Sequence, residues 1–282
     1  MAAALIFSLA AMAHADAPKR VVSAEKADAP KRVVSVNLCT DQLALMLAAP
    51  GQLLSVSRLA FDPDASPMVD AAQGLHANGS GAEEVYLLEP DLVLAGTFTA
   101  PATVSMLRNL GIRVELFSPA RSLADVPKLA AQMGAALGRE EAAAEMIAAY
   151  EAELASLSAA PPRRPRAALT YVNSYTSGPR TLAGDILAAA GFDNVASEAG
   201  IERGGTLHLE QLVLLGPEVV IEGTNYPGTS RAEDNLGHPA LAALRGTYLA
   251  GQMTDRDWIC GTPLVLNAVR DMVALRDRVL AE

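Results

Sequence analysis

The stretch "EEVYLLEPDLVLAG", Glu83 to Gly96, has a second version further along the chain in "EQLVLLGPEVVIEG", Glu210 to Gly223. The two match position by position at the leading Glu, at two leucines, at Pro90 and Pro217, and at the closing glycine. Each reads as a short helix stopped by a Pro-acid turn, because proline cannot supply the N–H that a helix needs. An apolar run follows, of the kind found in parallel strands covered on both faces. A chain that builds this unit twice is expected to fold as two lobes of like topology.

Outward from these units, short apolar runs alternate with helical patterns, which is the signature of parallel βα units. In the first half the pattern predicts strands at Val33 to Leu38, Leu53 to Val56, Leu92 to Ala95 and Val114 to Phe117, with helices between. Ser122 opens a helix as N-cap, with Asp125 three residues on as its capping-box partner, and Gly138 closes it. After Pro165 the pattern restarts. Strands are expected at Ala167 to Val172, Glu218 to Glu222 and Tyr248 to Gly251, and helices at Leu182 to Ala190 and Leu264 to Leu280.

Between the halves lies "REEAAAEMIAAYEAELASLS", Arg139 to Ser158, in which Ala143, Met146, Tyr150, Leu154 and Leu157 form one apolar stripe. A helix of that size is about 30 Å long, the width of a small domain. With "AAPPRRPR" after it, the segment reads as a strut between lobes; an ordinary surface helix ending at a loop is the competing reading. The fold class expected is therefore α/β, with two similar lobes, each a parallel-sheet α/β sandwich, joined by one long backbone helix. The boundaries are 31–138 for the first lobe, 139–164 for the connecting helix and linker, and 165–282 for the second lobe.

The N-terminal region has a different character. "MAAALIFSLAAMAHA", residues 1–15, is an apolar run ending in Ala13-His14-Ala15, the small-x-small pattern of a signal peptide cleavage site, although no Lys or Arg precedes the run. The nine residues "ADAPKRVVS" then occur twice, at Ala15 to Ser23 and Ala27 to Ser35. Only the second copy leads straight into an apolar strand and a helix, so residues 16–30 are read as a disordered leader, with an extra edge strand as the competing reading.

Composition narrows the function classes. The formal net charge is -10 and hydrophobic residues make up 51% of the 282. Nucleic-acid binding needs clustered Lys and Arg, and there is no basic stripe. Gly-x-Ser-x-Gly, the P-loop, Gly-x-Gly-x-x-Gly and His-Glu-x-x-His are all absent, and His76, His208 and His238 are scattered, so neither a catalytic residue nor a bare-metal site is assigned.

The motif Glu-x-x-x-x-Leu-x-Pro-(Asp or Glu)-x-Val-(Leu or Ile), once per lobe with a long Ala-rich helix between, resembles the helical-hinge periplasmic substrate-binding proteins of ABC importers. That family delivers ferric siderophores, haem and cobalamin. "RVVSVNLCTDQLALMLA" and "WICGTPLVLNAVRDM" are similar to its first and last βα units, so the resemblance covers residues 31–282. It implies a non-enzymatic, monomeric carrier exported to the periplasm. Its metal-chelate ligand, a ferric siderophore or cobalamin-type corrinoid with haem as the alternative, would sit between the lobes for delivery to an inner-membrane permease dimer. It also implies that one acid per lobe, here Glu83 and Glu210, docks on permease arginines; a plain role in the first turn of a helix stays open for both.

Ligands of open α/β sheets bind at the carboxyl ends of strands. The loops there contain Cys39, Thr40, Arg58, Phe61, Thr97, Phe98 and Arg121 in the first half, and Tyr175, Tyr226, Arg231, Arg256, Asp257, Trp258 and Cys260 in the second. Five of the chain's twelve aromatics fall in this set, and rings bury flat chelates well, although each could instead pack its loop onto its lobe. The arginines could receive carboxylate or catecholate oxygens. Cys39 and Cys260, the only cysteines, have three readings: a disulfide stapling the lobes, soft ligation of a metal chelate, or free thiols.

Overall fold

The computed structural model describes residues 28–158, 160–223 and 249–281. The expected signal peptide, the first copy of the repeat, Tyr226 and Arg231 lie outside these residues.

The first lobe is a five-stranded, all-parallel sheet of β1 (Val33–Ser35), β2 (Leu53–Ser57), β3 (His76–Asn78), β4 (Leu92–Gly96) and β5 (Arg113–Phe117), in the order β3-β2-β1-β4-β5. Helices α1 (Leu38–Leu47), α2 (Val69–Ala72), α3 (Ala82–Leu87) and α4 (Pro101–Asn109) make the crossovers. The second lobe is a four-stranded parallel sheet of β6 (Arg166–Thr170), β8 (Asp193–Asn194), β10 (Val219–Gly223) and β11 (Leu249–Met253), in the order β11-β10-β6-β8. A small antiparallel ribbon, β7 (Tyr175–Ser177) with β9 (Gly204–Thr206), stands beside it. Helices α7 (Leu182–Ala189), α8 (Leu209–Leu215), α9 (Asp255–Trp258) and α10 (Val265–Ala281) complete the lobe.

Alternate residues of the central strands enter different cores, as a sheet covered on both faces requires. Val33, Leu92 and Leu94 belong to one apolar cluster, and Val34, Val93 and Ala95 to another. In the second lobe Ala167, Leu169, Val219 and Ile221 face one way and Ala168 and Val220 the other.

The duplicated Pro-acid unit has the same structural job in both lobes. Asp91 accepts the backbone N–H groups of Lys31 (2.7 Å) and Arg32 (3.0 Å), and Glu218 accepts that of Arg166 (3.0 Å), so each acid anchors the start of the neighbouring central strand. The same arginines reach the preceding helix end: Arg32 donates to the carbonyls of Leu88 (2.6 Å) and Glu89 (2.8 Å), and Arg166 to that of Gly216 (3.2 Å). Both helices are released by a left-handed residue, Glu89 at φ 49° and Gly216 at φ 54°. Arg32 belongs to the second copy of the nine-residue repeat, whose last three residues, Val33–Ser35, form β1.

Helix α5 (Val126–Leu137) ends at Gly138, which is left-handed at φ 70°, and α6 (Glu140–Leu157) follows at once. Before α5, Ser122 N–H donates to Asp125 Oδ2 at 3.1 Å, and the turn Leu123–Asp125 is a 3₁₀ entry rather than α-helix. Along α6, Ala143 and Met146 pack into the first lobe's core, whereas Tyr150, Leu154 and Leu157 pack into the second's. The strands differ from the expected set in two ways. The first strand stops at Ser35 instead of Leu38, because Asn37 caps α1; and β3, a short polar edge strand, and the β7–β9 ribbon carry none of the apolar patterning that marks buried strands.

Candidate functional site

The carboxyl ends of β1, β4 and β5 meet in one corner. After β1, the Asn37 side chain accepts the N–H of Cys39 at 3.1 Å and so starts α1. After β4, Gly96 lies against that side chain; a Cβ at Gly96 would sit 3.2 Å from the Asn37 amide, closer than side chains ordinarily pack. The next N–H, of Thr97, is held by Phe117 O at 2.9 Å, and Phe98 then projects with 87% of its surface exposed.

The second lobe closes the corner from the other side. A Cβ on Gly261 would lie 2.2 Å from that of Ala120, so the two chain segments touch there. Cys39 and Cys260 form a disulfide with their Cα atoms 5.1 Å apart, across 221 residues of sequence. Thr262 Oγ1 and Gln42 Oε1, both buried, are 3.2 Å apart and form a hydrogen bond beside it. Of the three readings of the cysteines, the structure takes the disulfide, which leaves neither sulfur as a thiolate to ligate a metal. Among the described residues no group of three or more His, Cys, Asp or Glu is placed to hold an ion.

Two adjoining hollows open in this corner. One, of about 90 Å³, lies between the lobes and is lined by Asn37, Cys39, Phe98 and Phe117 from the first and Ile259 and Gly261 from the second. The other, of about 410 Å³, shares Thr97, Phe98, Ser118, Pro119 and Leu129 with it and adds Arg121, Asp125 and Lys128. Only the larger falls within the usual range for small-molecule sites, about 300–1,000 Å³. Its charged rim is ordered: the Lys128 ammonium 2.8 Å from Asp125, together with the Arg121 N–H, holds that carboxyl down to about 2. Lys128 therefore pairs with an ionised Asp125 at neutral pH, and Arg121 lines the same groove.

The structure divides the sequence-derived residues. Cys39, Thr40, Thr97 and Phe98 line the inter-lobe hollow and Arg121 the larger groove. Thr40 is buried, and its hydroxyl is spent on Ser35 Oγ and Asn37 O, both at 2.8 Å. Phe61 packs against the first lobe's core, and Arg58 is exposed beside Gly79. Tyr175 is half exposed and tilts against Tyr171, with ring centroids 5.8 Å apart. Arg256 approaches Pro63 O of the first lobe at 3.4 Å. Asp257 is occupied within its own lobe by Thr254 (2.8 Å) and Asn267 (3.1 Å).

Trp258 corrects an expectation: it is 7% exposed within the second lobe's core, and its neighbour Ile259 takes the place facing the hollow. Sequence reasoning passed over Ile259, Ser118, Pro119 and Lys128. Ser118 and Pro119 directly follow β5, where the carboxyl-end rule points. Lys128 and Leu129 lie on a helix, outside that rule's reach.

A family model described as "Periplasmic binding protein" matches residues 33–206. The chain belongs to that family. The periplasmic binding proteins are substrate-binding transport proteins rather than enzymes. Among curated relatives, a "Cobalamin-binding protein" of Halobacterium salinarum (strain R1) is 32% identical over 173 residues, 60% of this chain and 47% of the relative. This chain thus spans about half the length of the curated relatives it matches. Among solved structures, the periplasmic haem-binding protein RhuT from Roseiflexus sp. RS-1 is 21% identical with a TM-score of 0.71, over 88% of this chain and 99% of that one. The vitamin B12-binding protein BtuF of Vibrio cholerae is 17% identical with a TM-score of 0.66, over 90% and 99%. The haem-binding protein HutB of the same species is 20% identical with a TM-score of 0.72, over 86% and 98%. At these identities the structures establish the shared two-lobed α/β fold.

Proposed function

We propose that this periplasmic binding protein captures a metal chelate of the corrinoid class between its lobes and passes it to an ABC importer permease in the inner membrane. The observation that carries the reading is the corner where both lobes meet around Phe98: an exposed ring between a small inter-lobe hollow and a groove of about 410 Å³ on the first lobe, at strand ends, in a family of substrate carriers. An apolar ring face suits a flat macrocycle, and Arg121 and Lys128 suit polar groups at its edge. The cobalamin-binding relative, at 32% identity, supports corrinoid over haem.

A ferric siderophore is the second reading, favoured by those same two cations, which match anionic catecholate or carboxylate oxygens. The apolar run at residues 1–15 supports export, and the exposed Glu83 and Glu210, one per lobe, support docking on permease arginines by a monomeric carrier. Native mass spectrometry of protein isolated from its own cells tests the ligand class: the added mass of a corrinoid is expected, and that of a ferric siderophore or haem would replace the corrinoid reading.

A further inference from the structure

We propose that Leu87 and Leu214, flanked by Tyr86 and Val213, are paired apolar anchors that seat this protein on a dimeric membrane permease; this rests on the carrier reading above. Three large apolar side chains among the described residues are more than three-quarters exposed: Phe98, Leu87 (79%) and Leu214 (86%). Phe98 belongs to the ligand corner. The other two occupy the same position of the duplicated unit, one on each lobe, and so do Tyr86 (48%) and Val213 (44%). One solvated leucine is unremarkable on any protein surface, but the same residue left in water at equivalent places in two diverged repeats is not explained by packing. The core contacts of these helices are made instead by Val85 and Leu212, both buried.

The patches are alike in build as well as composition. Leu87 lies four residues after Glu83 and Leu214 four after Glu210, so each helix shows a carboxylate and a leucine on one face, a turn apart. Each helix end is fixed by an arginine at the start of the neighbouring strand, Arg32 just before β1 or Arg166 in β6, which presents the leucine on a braced element instead of a loose loop. Beside Leu87 a shallow hollow of about 260 Å³ is bounded by Tyr86, Pro90 and Ile112, with room for a partner side chain.

Charge selects the occupant. Both patches are acidic on a chain of net charge -10, so a second copy of this protein would set carboxylate against carboxylate. The fitting partner has basic groups around an apolar socket and presents that arrangement twice, as a dimer does. Neither patch alone is large, and two weak contacts made by one rigid body gain from effective concentration. The glutamates then steer and orient while the leucines, once desolvated, slow dissociation.

The test uses the full-length exported protein and right-side-out inner-membrane vesicles from its source cells, with protein-free lipid vesicles as control. A photo-crosslinking amino acid placed at position 87, and separately at position 214, is expected to label the same or homologous permease polypeptides. Leu87→Ser with Leu214→Ser is expected to weaken saturable vesicle binding by roughly tenfold or more while the thermal unfolding midpoint stays unchanged, since both side chains are in water. Crosslinks to a second copy of this chain, or wild-type binding by the double serine variant, would overturn the proposal. If that variant binds normally while Glu83→Ala with Glu210→Ala does not, the anchors fail and permease docking stands; if neither pair matters, both fail.

Discussion

Asp41 shows how a single residue links stability to pH. It is fully buried under the first sheet, where Ser57 donates both its N–H (3.2 Å) and its hydroxyl (2.5 Å) to the carboxylate. Burial outweighs these bonds and one from Ser35, raising its pKa from 3.8 to about 6. The folded state therefore holds the proton more tightly than the unfolded chain. The resulting stabilisation is complete below pH 3.8 and is lost as pH rises to about 6, a swing of at most about 3 kcal/mol. Urea unfolding at pH 4 and pH 7 is expected to show a larger loss of stability for the natural protein than for Asp41→Asn, which keeps a neutral hydrogen-bonding group at the site; equal losses would remove Asp41 as the cause. Nothing in the sequence marks Asp41 apart from other acids near a helix start, since its burial depends on β2 lying over it. The Pro-acid motif is different, because its two copies could be compared with each other. Removing the acid from either, as Asp91→Ala or Glu218→Ala, is expected to cost about 1 kcal/mol in chemical denaturation by leaving backbone N–H groups at a strand start without their acceptor.

Among elements, the junction of α5 and α6 is the most sensitive place to probe. Gly138 is left-handed, and a Cβ there would also come within 2.7 Å of that of Ala29, so Gly138→Ala is expected to lower stability by about 1–2 kcal/mol. Gly134 sits in the helix crossing itself, where a Cβ would meet that of Ala143 at 2.5 Å; Gly134→Val is expected to cost more, about 2–4 kcal/mol, by prying α6 from the first lobe. Thermal unfolding ranks the two, and the reverse order would contradict the packing described. Strands buried on both faces, such as β4 and β10, were legible because continuous apolar runs between punctuating residues leave few alternatives. The edge strand His76–Asn78 was not, since it is polar and held by pairing to β2, a long-range fact. The end of β1 was misplaced for a related reason. Val36 and Leu38 continue the apolar run, yet a short polar cap at Asn37 turns the chain into a helix.

For the whole molecule, the disulfide is the tie between lobes with the longest reach. Joining residues 221 apart in sequence removes much of the freedom of the unfolded chain, worth about 5 kcal/mol in the chain-entropy model. Cys39→Ser with Cys260→Ser is accordingly expected to lower the unfolding free energy by several kcal/mol; an unchanged midpoint would mean that the hydrogen bond of Thr262 with Gln42 and the α6 packing hold the lobes unaided. The two-lobed plan could be read from the duplicated unit and the long helix between. The candidate site was legible only in outline: the carboxyl-end rule named Cys39, Thr40, Thr97, Phe98 and Arg121, which line the two hollows, but whether an aromatic such as Trp258 faces the cleft or its own core depends on one turn of α9, which spacing does not reveal. As proposed, the protein grips a flat metal chelate between its lobes against Phe98. Calorimetric titration of cyanocobalamin into the oxidised protein and its Phe98→Ala variant tests it most directly. Binding of one molecule per chain, weakened roughly tenfold by the substitution, is the predicted result; no heat of binding, or equal affinity for both proteins, would contradict it.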